Sequence, residues 1–114
     1  MRYALLICLD ESASDAASPE EEAEMHAAYD VFGAEMSGRG VLQGGERLRP
    51  TTDATTVRVS GGEVLVSDGP FAETKEQMAG FYLIDCKDLD EAIEIASKVP
   101  GAAHGTIEVR PIWE

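Results

Sequence analysis

Residues 80–113 read GFYLIDCKDLDEAIEIASKVPGAAHGTIEVRPIW. The opening GFYLIDC (80–86) is a strand by its length and its aromatic and branched content. Asp88 then caps a helix, with Glu91 three residues on as the capping-box acid. Leu89, Ala92, Ile93, Ala96 and Val99 recur at helical spacing and form the expected inner face. Pro100-Gly101 ends the helix, and GTIEVRPIW (105–113) is a further strand. Strand, helix and strand in so short a stretch is half of a split β-α-β arrangement.

The amino-terminal part supplies the other half. Residues 2–9 are apolar on both faces, with Tyr3, Leu5, Ile7 and Leu9 on one and Ala4, Leu6 and Cys8 on the other. Such a strand is covered on both sides. Ser18-Pro19-Glu20-Glu21 starts a helix with an N-cap serine, a proline at the first position and a capping-box glutamate. Met25, Ala28, Tyr29, Phe32 and Met36 form its apolar stripe, and Gly38 and Gly40 stop it. VLQGGERLRP (41–50) is a strand broken at Gly44-Gly45. TTVRV-SGG-EVLVS (55–67) is a short hairpin around a glycine turn.

With the hairpin set aside as an insertion, the order is β-α-β-β-α-β. This predicts one ferredoxin-like α+β domain over residues 1–114, an antiparallel sheet with two helices on one face. The strand GFYLI places Phe81 and Leu83 opposite Tyr82 and Ile84, so the second face is also apolar. The simplest cover for it is a second copy, giving a homodimer of α+β barrel type.

Charge narrows the partners. The net charge is −13, and the first 35 residues hold nine acids (Asp10, Glu11, Asp15, Glu20, Glu21, Glu22, Glu24, Asp30 and Glu35) against Arg2 alone. A surface of that sign repels phosphate backbones and anionic lipid, which excludes nucleic-acid and membrane binding. The run YALLICL is too short for a bilayer span or a signal peptide, so the chain is expected to be soluble and cytoplasmic. Cys8 and Cys86 lie in strands with no CxxC and read as reduced structural thiols. No metal set, phosphate loop or dinucleotide fingerprint is present, and no cofactor is implied.

The expected topology brings the carboxyl end of the first strand beside the amino ends of two others. Asp10, the loop 68–80 and His104 therefore share one rim. Asp68 in Asp68-Gly69-Pro70-Phe71 is either a turn former or a carboxylate acting as acid or base. Phe71 is a core plug or a wall for a ligand. Glu73, Lys75 and Glu76 are an exposed ion-paired turn or a polar wall. His104 is a solvated loop histidine or the partner of a carboxylate in proton transfer. His26, with Glu22 and Asp30 one turn to either side, reads as a helix-surface histidine. Arg47, Arg49 and Arg110 either bind a small carboxylate or phosphate or pair with surplus acids.

The string SDGPFAETKEQMAGFYLIDCKDLDEAIEIASKVP with GTIEVRPI, MRYALLICLDE and GVLQGGERLRPTTDATTVRV resembles the YCII-related family in its DGPF subgroup, over nearly the whole chain. The resemblance implies a ferredoxin-like fold and a dimer. It also implies a lyase-like activity on small ring compounds in some members, with a His–Asp pair as the active site. That histidine lies on the first helix at a place matching Tyr29 or Asp30 here rather than His26. The subgroup is further associated with extracytoplasmic-function sigma factors. Two functions are therefore carried forward. One is a small-molecule-binding homodimer with cofactor-free lyase- or isomerase-like proton transfer. Asp68, His104 and Asp10 would be its catalytic groups, with Gly69, Pro70, Phe71, Glu73, Lys75, Glu76 and Phe81 around the ligand. The other is a non-catalytic interaction module serving a sigma factor.

Overall fold

The computed structural model describes residues 1–114 as a mixed α+β chain with two antiparallel sheets and three α-helices. In order, the elements are β1 (Arg2–Leu9), α1 (Glu11–Asp15), α2 (Pro19–Gly38), β2 (Leu42–Arg47), β3 (Thr55–Ser60), β4 (Glu63–Asp68), β5 (Gln77–Asp85), α3 (Leu89–Lys98) and β6 (Thr106–Pro111). The main sheet has the order β2-β5-β1-β6, and β3 with β4 forms a separate ribbon.

β1 lies inside the sheet, as its apolar character on both faces requires. Leu5 pairs with Tyr82 on one side and Val109 on the other. Alternation along the strands then sorts the side chains. Tyr3, Leu5, Ile7 and Ile84 point to the helices and are buried with Phe32 and Met36 of α2 and Ala92, Ile95, Ala96 and Val99 around α3. Tyr82 shares that face, its ring 5.0 Å from that of Phe32. Ala4, Leu6, Cys8, Phe81 and Leu83 point the other way, half-buried and outside the core cluster.

The helix starts follow their capping signals. Ser18 Oγ accepts from the Glu21 N–H at 3.1 Å, and the Glu21 carboxylate accepts from the Ser18 N–H at 3.3 Å. Asp88 caps α3 by accepting from the Glu91 N–H at 2.9 Å. The inner face of α3 differs from the expectation: Ile95 is buried, whereas Ile93 and Leu89 are half-exposed. The helix is rotated by part of a turn, because Ile95 with Ala92 and Val99 fits the sheet better than the 89–93 pair. Arg39, just past α2, bonds Glu94 at 2.8 Å, and Lys98 bonds Glu35 at 2.9 Å, which fixes the two helices side by side.

The short helix α1 is absent from the sequence expectation. Asp10 creates it, its carboxylate accepting from both the N–H and the hydroxyl of Ser12. Only the second half of α2 is packed tightly. Ala28 of the expected stripe is exposed, and Met25 and Tyr29 are half-buried. Beneath this first half lie Gly45 of β2 and Gly80 of β5, where a Cβ would meet the backbone of the neighbouring strand at 2.5 and 2.7 Å.

Candidate functional site

The space under α2 is a cavity of about 620 Å³, bounded by the sheet, α1, α2 and the 3₁₀ turn Pro100–Ala103. That is the size of a small-molecule site. Its apolar wall is Ile7, Leu9, Met25 and Tyr82, and its polar groups are Asp10, His26, Tyr29, Arg47 and His104.

His26 and Arg47 meet at the mouth. Arg47 Nη1 is 3.2 Å from His26 Nε2. A guanidinium has only donors, so Nε2 accepts, and the imidazole in this arrangement is neutral with its proton on Nδ1. Arg47 forms no ion pair. Arg49 bonds Asp53 at 3.0 Å and Arg110 bonds Glu108, so of the three arginines singled out in the sequence only Arg47 lines the cavity and is bonded to no carboxylate.

Tyr29 lies one turn after His26 on the same helix face. Its hydroxyl oxygen accepts from the Gly101 N–H at 3.2 Å, which leaves its own proton free to be donated. Burial pushes the phenol pKa above its ordinary value, and the Gly101 bond and nearby Arg47 only partly offset this. Tyr29 is therefore a neutral donor at physiological pH. Gly101 is itself required by this contact, since a Cβ there would lie 2.7 Å from the tyrosine oxygen.

The residues expected at the site divide. Asp10 and His104 both line the cavity, as the strand geometry predicted. Hydrogen bonds from the Ser12 hydroxyl and N–H hold the Asp10 carboxyl below its usual range, so it caps α1 as an anion and is a poor proton donor. His104 is exposed at the end of the 3₁₀ turn. Lys75 lies near Asp10 in a separate polar cleft with Thr74 and Gln77. Glu76 accepts from the Thr106 hydroxyl at 2.7 Å, tying the loop to β6. Glu73 is exposed.

Asp68, Gly69, Pro70 and Phe71 are elsewhere, at the root of the β3–β4 ribbon and outside both the cavity and the cleft. The expected meeting of Asp68 with Asp10 and His104 in one cavity does not occur, because β4 pairs with β3 and not with the main sheet. The turn is held by backbone: the Gly69 N–H donates to Ala54 O at 2.8 Å, and the Thr56 hydroxyl donates to Gly69 O at 2.7 Å. Phe71 plugs no core and is 79% exposed. Phe81 touches the cavity, yet alternation turns its ring to the opposite face, so Tyr82 is the aromatic wall.

His26 and Arg47 as partners were not visible in the sequence, where His26 read as a surface residue. Their elements become neighbours only through the fold. No three His, Cys, Asp or Glu side chains converge as a metal site, and no helix is long and apolar enough to cross a membrane.

An antiparallel α+β sheet with a polar-lipped cavity under one helix defines a small cavity-bearing domain. The chain belongs to the YCII-related domain family, whose match spans residues 1–114. It is also 46% identical to an uncharacterized protein of Rhizobium meliloti (strain 1021), over 98% of this chain and 92% of that protein.

Proposed function

We propose that this protein is a homodimer of ferredoxin-like, α+β barrel type that binds a small organic anion in the cavity under α2 and transfers a proton on it without a cofactor. The observation that carries the reading is Arg47: a guanidinium at a cavity mouth, paired with no carboxylate in a chain of net charge −13. Its remaining N–H groups suit a carboxylate in bidentate geometry. Glu21 and Glu22 also line the cavity and disfavour a polyanion, so the ligand is small and singly charged.

Neutral His26 is then the base and Tyr29 the acid, set one helical turn apart over the same space. This constellation supports a lyase- or isomerase-like step in which a proton leaves one carbon of a bound carboxylate and another is delivered nearby. Tyr29 also occupies one of the two places where the family resemblance puts a helix histidine. His104 and the Asp10 anion stand further along the rim, available to orient the ligand.

The test is a panel of small cyclic and open-chain monocarboxylates screened by ligand-observed NMR, followed by deuterium exchange of any binder in heavy water. Binding with enzyme-dependent exchange supports the proposal. A panel that binds equally well to Arg47→Gln counts against it.

A second reading has its own observation. Glu20, Glu22, Glu24 and Asp30 are exposed on α2 and enter no ion pair, which suits a basic protein partner such as a sigma factor. Such a complex would weaken steeply with salt in a pull-down.

A further inference from the structure

Tyr29 carries a hydrogen-bond donor that the protein does not use. Its hydroxyl oxygen accepts from the Gly101 N–H at 3.2 Å, and the hydroxyl proton is given to no protein group. The surroundings are aliphatic. A Cβ on Gly101 would lie 2.7 Å from the phenol oxygen, 3.2 Å from Leu9 Cδ2 and 3.3 Å from Ile7 Cγ2. The hydroxyl therefore stands close over Ile7 and Leu9. Tyr29 is half-buried and lines the cavity, where an unmade hydrogen bond is costly.

The register of the sheet relates this donor to Arg47. Arg47 pairs with Gly80, and Gly80 pairs with Ile7, so the three form one row across β2, β5 and β1. Neighbouring strands are about 4.8 Å apart, which puts the ends of the row about 10 Å apart at the backbone. Arg47 stands at the sheet edge, and the Tyr29 hydroxyl stands over the inner end. The two face one space: burial raises the phenol pKa, while the Gly101 bond and the Arg47 charge act against that rise. A molecule lying along the row meets a cation at one end and a neutral donor at the other.

We infer that the ligand is a keto acid, with its carboxylate on Arg47, its chain across Gly80 and its ketone oxygen accepting from the Tyr29 hydroxyl over Ile7. The inference rests on the carboxylate reading of Arg47 above and names the second group the ligand carries. A second carboxylate is disfavoured there, because Glu21 and Glu22 line the same cavity. An alcohol would accept the bond but would not help the chemistry. Carbon beside a ketone releases a proton far more readily than carbon beside a carboxylate or a hydroxyl, and a preorganised donor at the ketone oxygen stabilises the charge that develops.

The step balances with groups on the page. The ligand carboxylate draws Arg47 from His26, and the freed Nε2 takes a proton from the carbon beside the ketone. The C–H electron pair becomes the new C=C bond, the carbonyl pair moves to oxygen, and Tyr29 gives that oxygen its proton. The result is an enol, an imidazolium and a phenolate, the last held by the Gly101 N–H. His26 and Tyr29 are three residues apart on α2, about 4.5 Å along its axis, which suits a carbon and an oxygen of the same ketone. Reversal through solvent resets both side chains.

The test is titration calorimetry of the full chain with the straight-chain methyl-ketone acids of five, six and seven carbons. Each is set beside the unsubstituted acid of the same length. For at least one length the ketone should bind about 5-fold or more tighter than its parent acid, and Tyr29→Phe should remove that difference while Arg47→Gln weakens both. The wild type supplies a readout that needs no variant: the carbonyl resonance of the ketone labelled with carbon-13 should move downfield on binding. Parent acids that bind as tightly as their ketones, or a resonance that stays at its free position, overturn the keto-acid assignment while leaving the Arg47 site standing. A ketone preference that survives in folded Tyr29→Phe overturns Tyr29 as the donor. Wild type that binds none of these acids overturns both this inference and the carboxylate reading beneath it.

Discussion

Arg47 Nη1 and His26 Nε2 stand 3.2 Å apart, joining the end of β2 to the first half of α2. The contact makes the histidine an acceptor and leaves the guanidinium with unused donors, so a bound carboxylate would compete with the imidazole for the same cation. Arg47→Gln should weaken binding of a monocarboxylate about 10-fold or more, by loss of a charge-assisted pair. The residue is exposed, so the melting temperature should move little. Titration calorimetry and a thermal melt on one preparation check both parts. A binding constant that does not change removes Arg47 from the site.

Tyr29→Phe should cost about 1–2 kcal/mol in urea denaturation, because the Gly101 N–H it serves is buried and would lose its acceptor. A pH effect accompanies it. Burial raises the phenol pKa of both Tyr29 and Tyr82 above 10.0. The folded chain therefore holds these protons more tightly than the unfolded one. The resulting stability is complete below about pH 10 and is lost as pH rises through the higher folded values. The alkaline decline should be shallower in Tyr29→Phe than in wild type.

On the acid side the sign reverses. The carboxyls of Asp10, bonded to Ser12, and Glu94, bonded to Arg39 and Lys98, are both held below their usual range. Their contribution is present above the ordinary carboxylate pKa and is lost as pH falls through the lowered values. Asp10→Asn retains a good N-cap without the titration. Melting curves from about pH 6 to about pH 2 should therefore show a flatter acid limb for Asp10→Asn and for Glu94→Gln.

Gly69→Ala should loosen the ribbon selectively. At φ +90° a Cβ is strained, at a cost of about 1–2 kcal/mol. Amide exchange in residues 55–68 should accelerate while β1 and β5 stay protected. Asp68→Asn should leave exchange unchanged, since the turn is closed by backbone and Thr56 and not by the carboxylate. Equal acceleration in both variants would restore Asp68 as the turn former.

Local chemistry was legible and long-range meetings were not. Ser18 with Glu21, and Asp88 with Glu91, signal helix starts because capping is decided within four residues. The central place of β1 was readable from its two apolar faces. The Asp10–His104 rim followed from strand direction alone. His26 with Arg47 left no trace, because neither residue type nor spacing records how far α2 stands off the sheet. Phe71 misled for a related reason: an aromatic ring reads as buried unless one knows that the ribbon before it leaves the body. The rotation of α3 was lost because Ile93 and Ile95 are equally apolar, and only packing chooses between them.

β1 is made first, yet both of its neighbours in the sheet are made last. Tyr3 pairs with Ile84 on one side and Pro111 on the other. At about 5–20 residues per second, an emerging chain waits about 5–20 s between making its first strand and its last. Throughout that interval a strand greasy on both sides has nowhere of its own to go. The sheet therefore closes only once residues 106–111 have emerged, and β1 needs shelter until they do.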